Sequence, residues 1–289
     1  MLWCMAVTNG TTPKARALGM RLREARQAAG LTVRALAAQL EMSHSAISRW
    51  EGGSRSPDTE DVASFLTAVG VTGQERAELL ELARGTNDPH WLSVQSGDRD
   101  RQMAALLGFE RSAQRISDVA PLLIPGLLQT ADYARAIMVA ADVPTSEIET
   151  RVAVRVGRRE VLTRRRNPAH LVALVGESAI RQKIGSRDVV LDQMHHLLTW
   201  AEMSNVDLRV IPETAGWTPA LEGPFVLIDF EEERPIVHVE NRRAGLFFHE
   251  PDDIDAYRNA IDKVKSVAMS PADTTKLIAD VITELETTT

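Results

Sequence analysis

The chain has 289 residues, enough for two domains, and its 44% hydrophobic and 25% charged residues are ordinary for a globular protein. A single cysteine, Cys4, excludes an intramolecular disulfide and a cysteine-based zinc cage, and no apolar run approaches the length of a membrane span, so the expected compartment is a reducing cytoplasm. A net charge of −7 excludes a uniformly basic nucleic-acid binder, but the charge is segregated: residues 13–57 carry eight Lys+Arg against three acids, and residues 58–86 carry two against six.

Residues 1–12, opening on "MLWCMAV", lack a charged start and an adequate apolar core for a signal peptide, and read as a disordered tail. In "ALGMRLREARQAAG", Leu18, Leu22, Ala25 and Ala29 recur at helical spacing, and Gly30 stands where a helix ends in a left-handed residue. Thr32 caps a second helix with Val33, Leu36, Ala37 and Leu40 on one face. After the turn "EMS", Ser43 caps a third helix, and Gly52-Gly53 end it. Residues 58–69 and 73–84 read as a fourth and a fifth helix, with Phe65, Leu66, Val69, Leu79, Leu80 and Leu82 as core candidates.

Two short helices joined by a tight turn form the helix-turn-helix pattern. Ile47 and Trp50, three apart, face inward, which leaves His44, Ser45, Ser48 and Arg49 on the outward face of helix 43–51. Short side chains at the start of that helix let its axis approach base edges in a major groove, and Arg49 has the fork that can donate two bonds to guanine.

The stretch "LREARQAAGLTVRALAAQLEMSHSAISRWEGGSRSP" resembles the Cro/repressor-type (XRE) DNA-binding domain of five helices, with Glu41 where the family has a turn glycine. The resemblance implies that His44, Ser45, Ser48 and Arg49 contact bases. It implies that Thr32, Arg34 and Arg55 hold phosphates, and that Arg26 and Glu51 form a structural ion pair.

Residues 87–100, within "GTNDPHWLSVQSGDRDRQ", gather Gly, Pro, Asn, Asp and Ser and read as a linker. In residues 101–289, helical periodicity appears at 133–141, 147–165, 189–203, 254–267 and 271–285. Strands are expected at 170–175, 206–211, 225–230, 236–240 and 245–248, with "FVLIDFEEERPIVHVE" as a hairpin. The fold class is therefore mainly α: a five-helix helix-turn-helix domain (13–86), then an α+β domain (101–289) with a small mixed or antiparallel sheet.

Chemistry is harder to find there. Phosphate loops, GxSxG elbows and HExxH motifs are absent from the sequence, and His195-His196 diverge by about 100° on a helix. No catalytic residue, metal or cofactor is expected, so the chain does not read as an enzyme. "PGLLQT" offers a turn with backbone donors before a helix and admits a ligand-sensing role. The most unusual feature is basic: residues 151–187 carry ten Lys+Arg against two acids. On helix 147–166, Arg151, Arg155, Arg158, Arg159 and Arg165 lie largely off the apolar side. They form a solvated face, a docking surface for an acidic partner or anion, or extra phosphate contacts.

"LIPGLLQTADYARAI", "RVAVRVGRREVL", "LVALVGESAIRQKIG", "LRVIPE" and "FVLIDF" followed by "VHVE" occur in that order. Together they resemble the large actinomycete regulator family that includes the sporulation regulator WhiJ. The resemblance implies a transcriptional regulator with a small acidic partner protein of the BldB type. The expected function is a DNA-binding repressor on a double-stranded operator, dimerised or controlled through its second domain by a partner or ligand. The alternative is an antitoxin-like module that mainly holds a small acidic protein.

Overall fold

The computed structural model describes residues 12–86, 91–93, 96–241 and 244–287; all of the expected tail except Thr12 lies outside these residues. The elements in chain order are α1 (Pro13–Ala28), α2 (Val33–Gln39), α3 (His44–Glu51), α4 (Thr59–Ala68), α5 (Gly73–Ala83), β1 (Trp91–Ser93), α6 (Ser96–Ser112) and β2 (Arg115–Ala120). There follow α7 (Ala131–Ala140), α8 (Thr145–Gly157), α9 (Glu160–Thr163), β3 (His170–Gly176), α10 (Glu177–Arg181), α11 (Arg187–Ala201) and β4 (Val206–Ile211). The chain continues with β5 (Phe225–Asp229), β6 (Ile236–Glu240), β7 (Gly245–Phe248), α12 (Pro251–Val267) and α13 (Pro271–Thr287). The chain is mainly helical, as the composition of its apolar repeats suggests.

Two compact units are present: Met1–Gly108 with Asn241–Glu250, and Phe109–Glu240 with Pro251–Thr289. The first begins with the five helices at the expected places. Thr12, Thr32, Ser43 and Asp58 each accept a backbone N–H from the first turn of the helix they precede. Leu18, Leu22, Leu36, Ile47, Val62, Phe65, Leu66 and Leu79 form its fully buried centre. The unit also contains β1 and β7, paired antiparallel with Trp91 opposite Phe247. Thus the stretch read as a linker holds a strand and the start of α6, and 241–250 joins the N-terminal unit. Strand pairing between segments some 150 residues apart leaves no local trace in sequence.

The second unit has five strands in the order β6-β5-β2-β3-β4. β2, β3 and β4 run parallel, whereas β5 is antiparallel to both β2 and β6, so the sheet is mixed. Four of its strands lie where the apolar runs placed them; β2, "RISDVA", was not anticipated. It is an inner strand, between β5 and β3, yet carries Ser117 and Asp118 in its middle. The cross-strand register puts Asp118 in line with Ala173 on one side, and with Val226 and then His238 on the other. All four share one face of the sheet. Ser117, Val172 and Leu227 are on the opposite face, where they border a small cavity with Ile261 and Lys265 of α12. α13 starts as expected: Ser270 caps it and Pro271 is its first residue.

The expected helix 147–166 is two helices. α8 stops at Gly157, Arg158 is its C-cap, and α9 restarts at Glu160.

Candidate functional site

α3 is short and sharply two-faced. Ile47 and Trp50 are buried at 0% and 2% exposure, whereas His44, Ser45, Ser48 and Arg49 are all exposed. The four outward residues occupy i, i+1, i+4 and i+5, one stripe along the helix. Nothing larger than imidazole stands in its first turn. Arg49 is steadied by one bond from Nε to the Ser45 carbonyl (3.2 Å), which leaves its two terminal nitrogens available. Ser54 Oγ and the Arg55 amide both donate to the Arg49 carbonyl, so the loop after α3 folds back on the end of the helix.

The helix ends because Gly52 caps it and Gly53 takes φ +66°. At Gly53 a Cβ would sit 2.7 Å from Arg16 Cα, so the backbone of α1 passes where any other side chain would be. At the other end of the motif, Glu41 adopts φ +53° in the turn between α2 and α3. A glycine would hold that conformation without strain.

Arg26 and Glu51 are joined as a fork: Nε to Oε1 at 2.6 Å and Nη2 to Oε2 at 2.8 Å, with both side chains under 10% exposed. Arg26 Nη1 also donates to the Leu31 carbonyl at 2.7 Å, which ties the α1–α2 turn to the end of α3. The hydrogen bonds that Arg26 donates to Glu51 raise its pKa further, against the opposing effect of burial. Thr32 caps α2 through Ala35 N, so its hydroxyl is engaged in the fold although exposed. Arg34 and Arg55 are exposed and form no ion pair with a described residue.

The five arginines of the second unit do not share one surface. Arg151 is exposed and pairs with Glu147 one turn earlier, and Arg165 is exposed. Arg159 turns to His196, 3.2 Å from Nη1 to Nε2, and the same ring nitrogen accepts from Trp200 Nε1 at 2.8 Å. Burial and the nearby Arg159 lower the His196 pKa and keep the ring neutral. Arg155 is half-buried and donates to Gln129 Oε1 at 3.1 Å. Arg158 grips Glu110 in a second fork, at 2.8 and 2.6 Å, with Glu110 only 2% exposed. Of the five, two are exposed cations and three are half-buried.

A family model described as a domain of unknown function, DUF5753, matches residues 103–280, more than half of the chain. The chain belongs to the DUF5753 family. A second model, described as a helix-turn-helix domain, matches residues 17–79. No curated protein and no solved structure matches the chain. The helix-turn-helix domain points to DNA binding and to transcription regulation. Among the described residues, no helix is long and apolar enough to cross a membrane.

Within the DUF5753 domain the "PGLLQT" turn seats the inward arginines. Gln129 is buried; its Nε2 donates to the Ile124 carbonyl at 2.7 Å and its Oε1 receives Arg155. Gln193 of α11 holds the same turn from below, accepting from Thr130 N and donating to the Leu128 carbonyl. A Cβ on Gly126 would lie 3.1 Å from Arg158 Nη1, so the glycine leaves space for the guanidinium. Around this seat lie Asp118, His238 and Glu240. Burial pushes the Asp118 carboxyl up to about 7, Arg158 opposes the rise, and Glu110 adds to it. Burial pushes His238 down to about 4, so the ring is neutral at physiological pH. The sequence singled out Arg155, Arg158 and the turn that carries Gln129, but not Asp118 or Glu110. Its one usable signal was the Pro-Gly turn; a carboxylate in an unrecognised inner strand had none.

Proposed function

We propose that this protein is a sequence-specific transcriptional repressor, with α3 lying in the major groove of a double-stranded operator. The carrying observation is the outward stripe of α3. His44, Ser45, Ser48 and Arg49 are exposed together, while Ile47, Trp50 and the Arg26–Glu51 fork hold the helix rigidly from behind. In this reading those four side chains meet base edges, and Arg49 with its free terminal nitrogens reads guanine. Thr32, Arg34 and Arg55 flank the stripe and meet phosphates. Binding as a homodimer adds a second half-site one helical turn away and raises both affinity and specificity. The motif order in the second domain supports placing the chain among the WhiJ-like regulators, in the cytoplasm, with control passing through the DUF5753 domain.

The test is binding to an operator obtained by selection from random duplexes. Arg34→Ala should lower the slope of log K against log salt by about one, uniformly across sequences. Arg49→Ala should cost about 1–3 kcal/mol at one base position and relax preference there. An unchanged salt slope for Arg34→Ala together with an unchanged preference for Arg49→Ala overturns the assignment.

One observation favours the antitoxin-like reading beside it. Leu122, Trp217 and Leu221 are each more than 65% exposed. Leu122 follows β2, and Trp217 and Leu221 precede β5; the paired ends of these strands (Val119 opposite Phe225) bring both segments to the same end of the strands. Apolar side chains held in water there suit a protein partner. The partner this reading commits to is the small acidic BldB-type protein, with exposed Arg151 and Arg165 contributing charge. Co-purification of that protein with the full chain, lost on Trp217→Ser, would support it; binding unaffected by the exchange would count against this surface.

A further inference from the structure

In the second unit α10 and α11 both pack on α13. The turn that joins them, 182–186, does not fill the space against the last turns of α13, and a cavity of about 300 Å³ remains there. Its floor is apolar: the side chains of Ile180, Val190 and Val281, which are buried, and of Leu285, which is half-buried. Its rim carries exposed charge, from Arg181, Lys183 and Arg187 on one wall and Glu284 on the other.

The three cations are not equally matched. Arg181 is balanced twice over: its Nε donates to Glu177 Oε1 at 3.0 Å and its Nη1 to Glu284 Oε2 at 3.1 Å. Arg187 bonds neutral oxygens instead, Nε to the Leu285 carbonyl and Nη2 to the Glu286 carbonyl at 2.8 Å. Those carbonyls end α13 and carry about half a negative charge, so about half of the guanidinium charge is left over. Lys183 has no hydrogen bond or ion pair with a described residue. Asp188 and Glu286, the acids next to Arg187 and Leu285 in the chain, are exposed and are not part of the wall, so solvent screens them from the interior. An excess of roughly one to two positive charges therefore stands at the mouth of an apolar-floored cavity.

We propose that this cavity binds a free monocarboxylate with a short apolar tail. The carboxylate meets Lys183 and Arg187 at the rim, and the tail lies on Ile180, Val190, Val281 and Leu285. A cavity of about 300 Å³ is at the lower end of the range for ligand pockets. At roughly 30 Å³ for each non-hydrogen atom, the share of a water molecule, the guest has about ten of them. An organic cation is repelled by the rim, and a neutral molecule leaves the rim charge unanswered. A dicarboxylate of the same length would force its second charge onto the apolar floor, where desolvation opposes it. The inference gives a chemical class to control through the DUF5753 domain and to that extent rests on the reading above. Binding is measured on the protein without DNA, so failure of the carboxylate to bind is distinct from failure of DNA recognition.

The experiment is calorimetric titration of the full chain with octanoate at constant potassium chloride and about pH 7.5, where the carboxylate is ionised. Hexanoate, octanol, octylamine and the dicarboxylate suberate are titrated beside it. Octanoate should bind saturably, one per chain, and each methylene removed on going to hexanoate should weaken binding about fourfold. Octanol, octylamine and suberate should each bind at least about tenfold more weakly than octanoate. Lys183→Glu, at an exposed residue that holds nothing else in the fold, should weaken octanoate about tenfold or more. Lys276→Glu, exposed on the same α13 but away from the cavity wall, should leave it unchanged. Absence of saturable octanoate binding, equal binding of octanol or suberate, no gain with chain length, or full affinity in Lys183→Glu overturns the proposal.

Discussion

Replacing Asp118 by Asn should stabilise the second unit at neutral and alkaline pH and leave it unchanged in acid. The sign follows from where the proton resides. Below about pH 4 the carboxyl is protonated in both folded and unfolded chains, and the exchange alters no charge. As pH rises from about 4 to about 7, the unfolded chain ionises while the fold retains its proton, so wild type loses stability relative to the variant. Above about 7 both states are ionised and the difference stays constant. Raising the carboxyl from 3.8 to about 7 spans about three pH units, each worth about 1.4 kcal/mol, so the full difference is about 4 kcal/mol. Asp118 keeps some contact with water, which reduces this to about 2–4 kcal/mol. Urea denaturation of both proteins at several pH values between about 4 and about 8 measures it. The other groups facing Asp118 (Glu110, Arg158, Arg155, His238 and Glu240) are common to both and cancel to first order. If the variant is less stable at pH 8, Asp118 gains more from Arg158 than it loses to desolvation, and the reasoning fails. A difference independent of pH fails it equally.

Three further outcomes concern the first unit. Glu51→Ala leaves Arg26 charged and nearly buried with only the Leu31 carbonyl, and should cost about 3–5 kcal/mol in denaturant unfolding; a loss under 1 kcal/mol would mean that water replaces the partner. Glu41→Gly relieves a left-handed residue at an exposed turn, and should raise stability by about 0.5–1 kcal/mol after the entropy of the added glycine is subtracted; a lower denaturation midpoint refutes it. Gly53→Ala combines positive φ with a Cβ driven against the α1 backbone, and should cost at least about 2 kcal/mol and weaken operator binding by loosening α3. An unchanged melting temperature would show that α1 yields at no cost.

The N-terminal unit was legible because its signals are local. Thr32, Ser43 and Asp58 cap helices through bonds spanning three residues, and Ile47 with Trp50 mark an inward face within a single turn. Even the Arg26–Glu51 pair was within reach, through resemblance to a motif that lies wholly within the quoted stretch. Four strands of the second unit were equally plain, since His170–Gly176 and its fellows are apolar runs that nothing but a sheet interior accommodates.

Sequence by itself determined the five helices of the first unit, four strands of the second, and which face of α3 meets solvent, because capping, periodicity and turn residues act over a few positions. Tertiary structure alone decided the rest. β2 became an inner strand despite its Ser and Asp because β3 and β5 supply hydrogen bonds to both its edges. Arg158 is half-buried because Glu110, 48 residues away, and the space above Gly126 receive its guanidinium. An ion pair and a desolvation penalty each depend on what lies within a few ångströms in space, and no window along the chain contains those neighbours together.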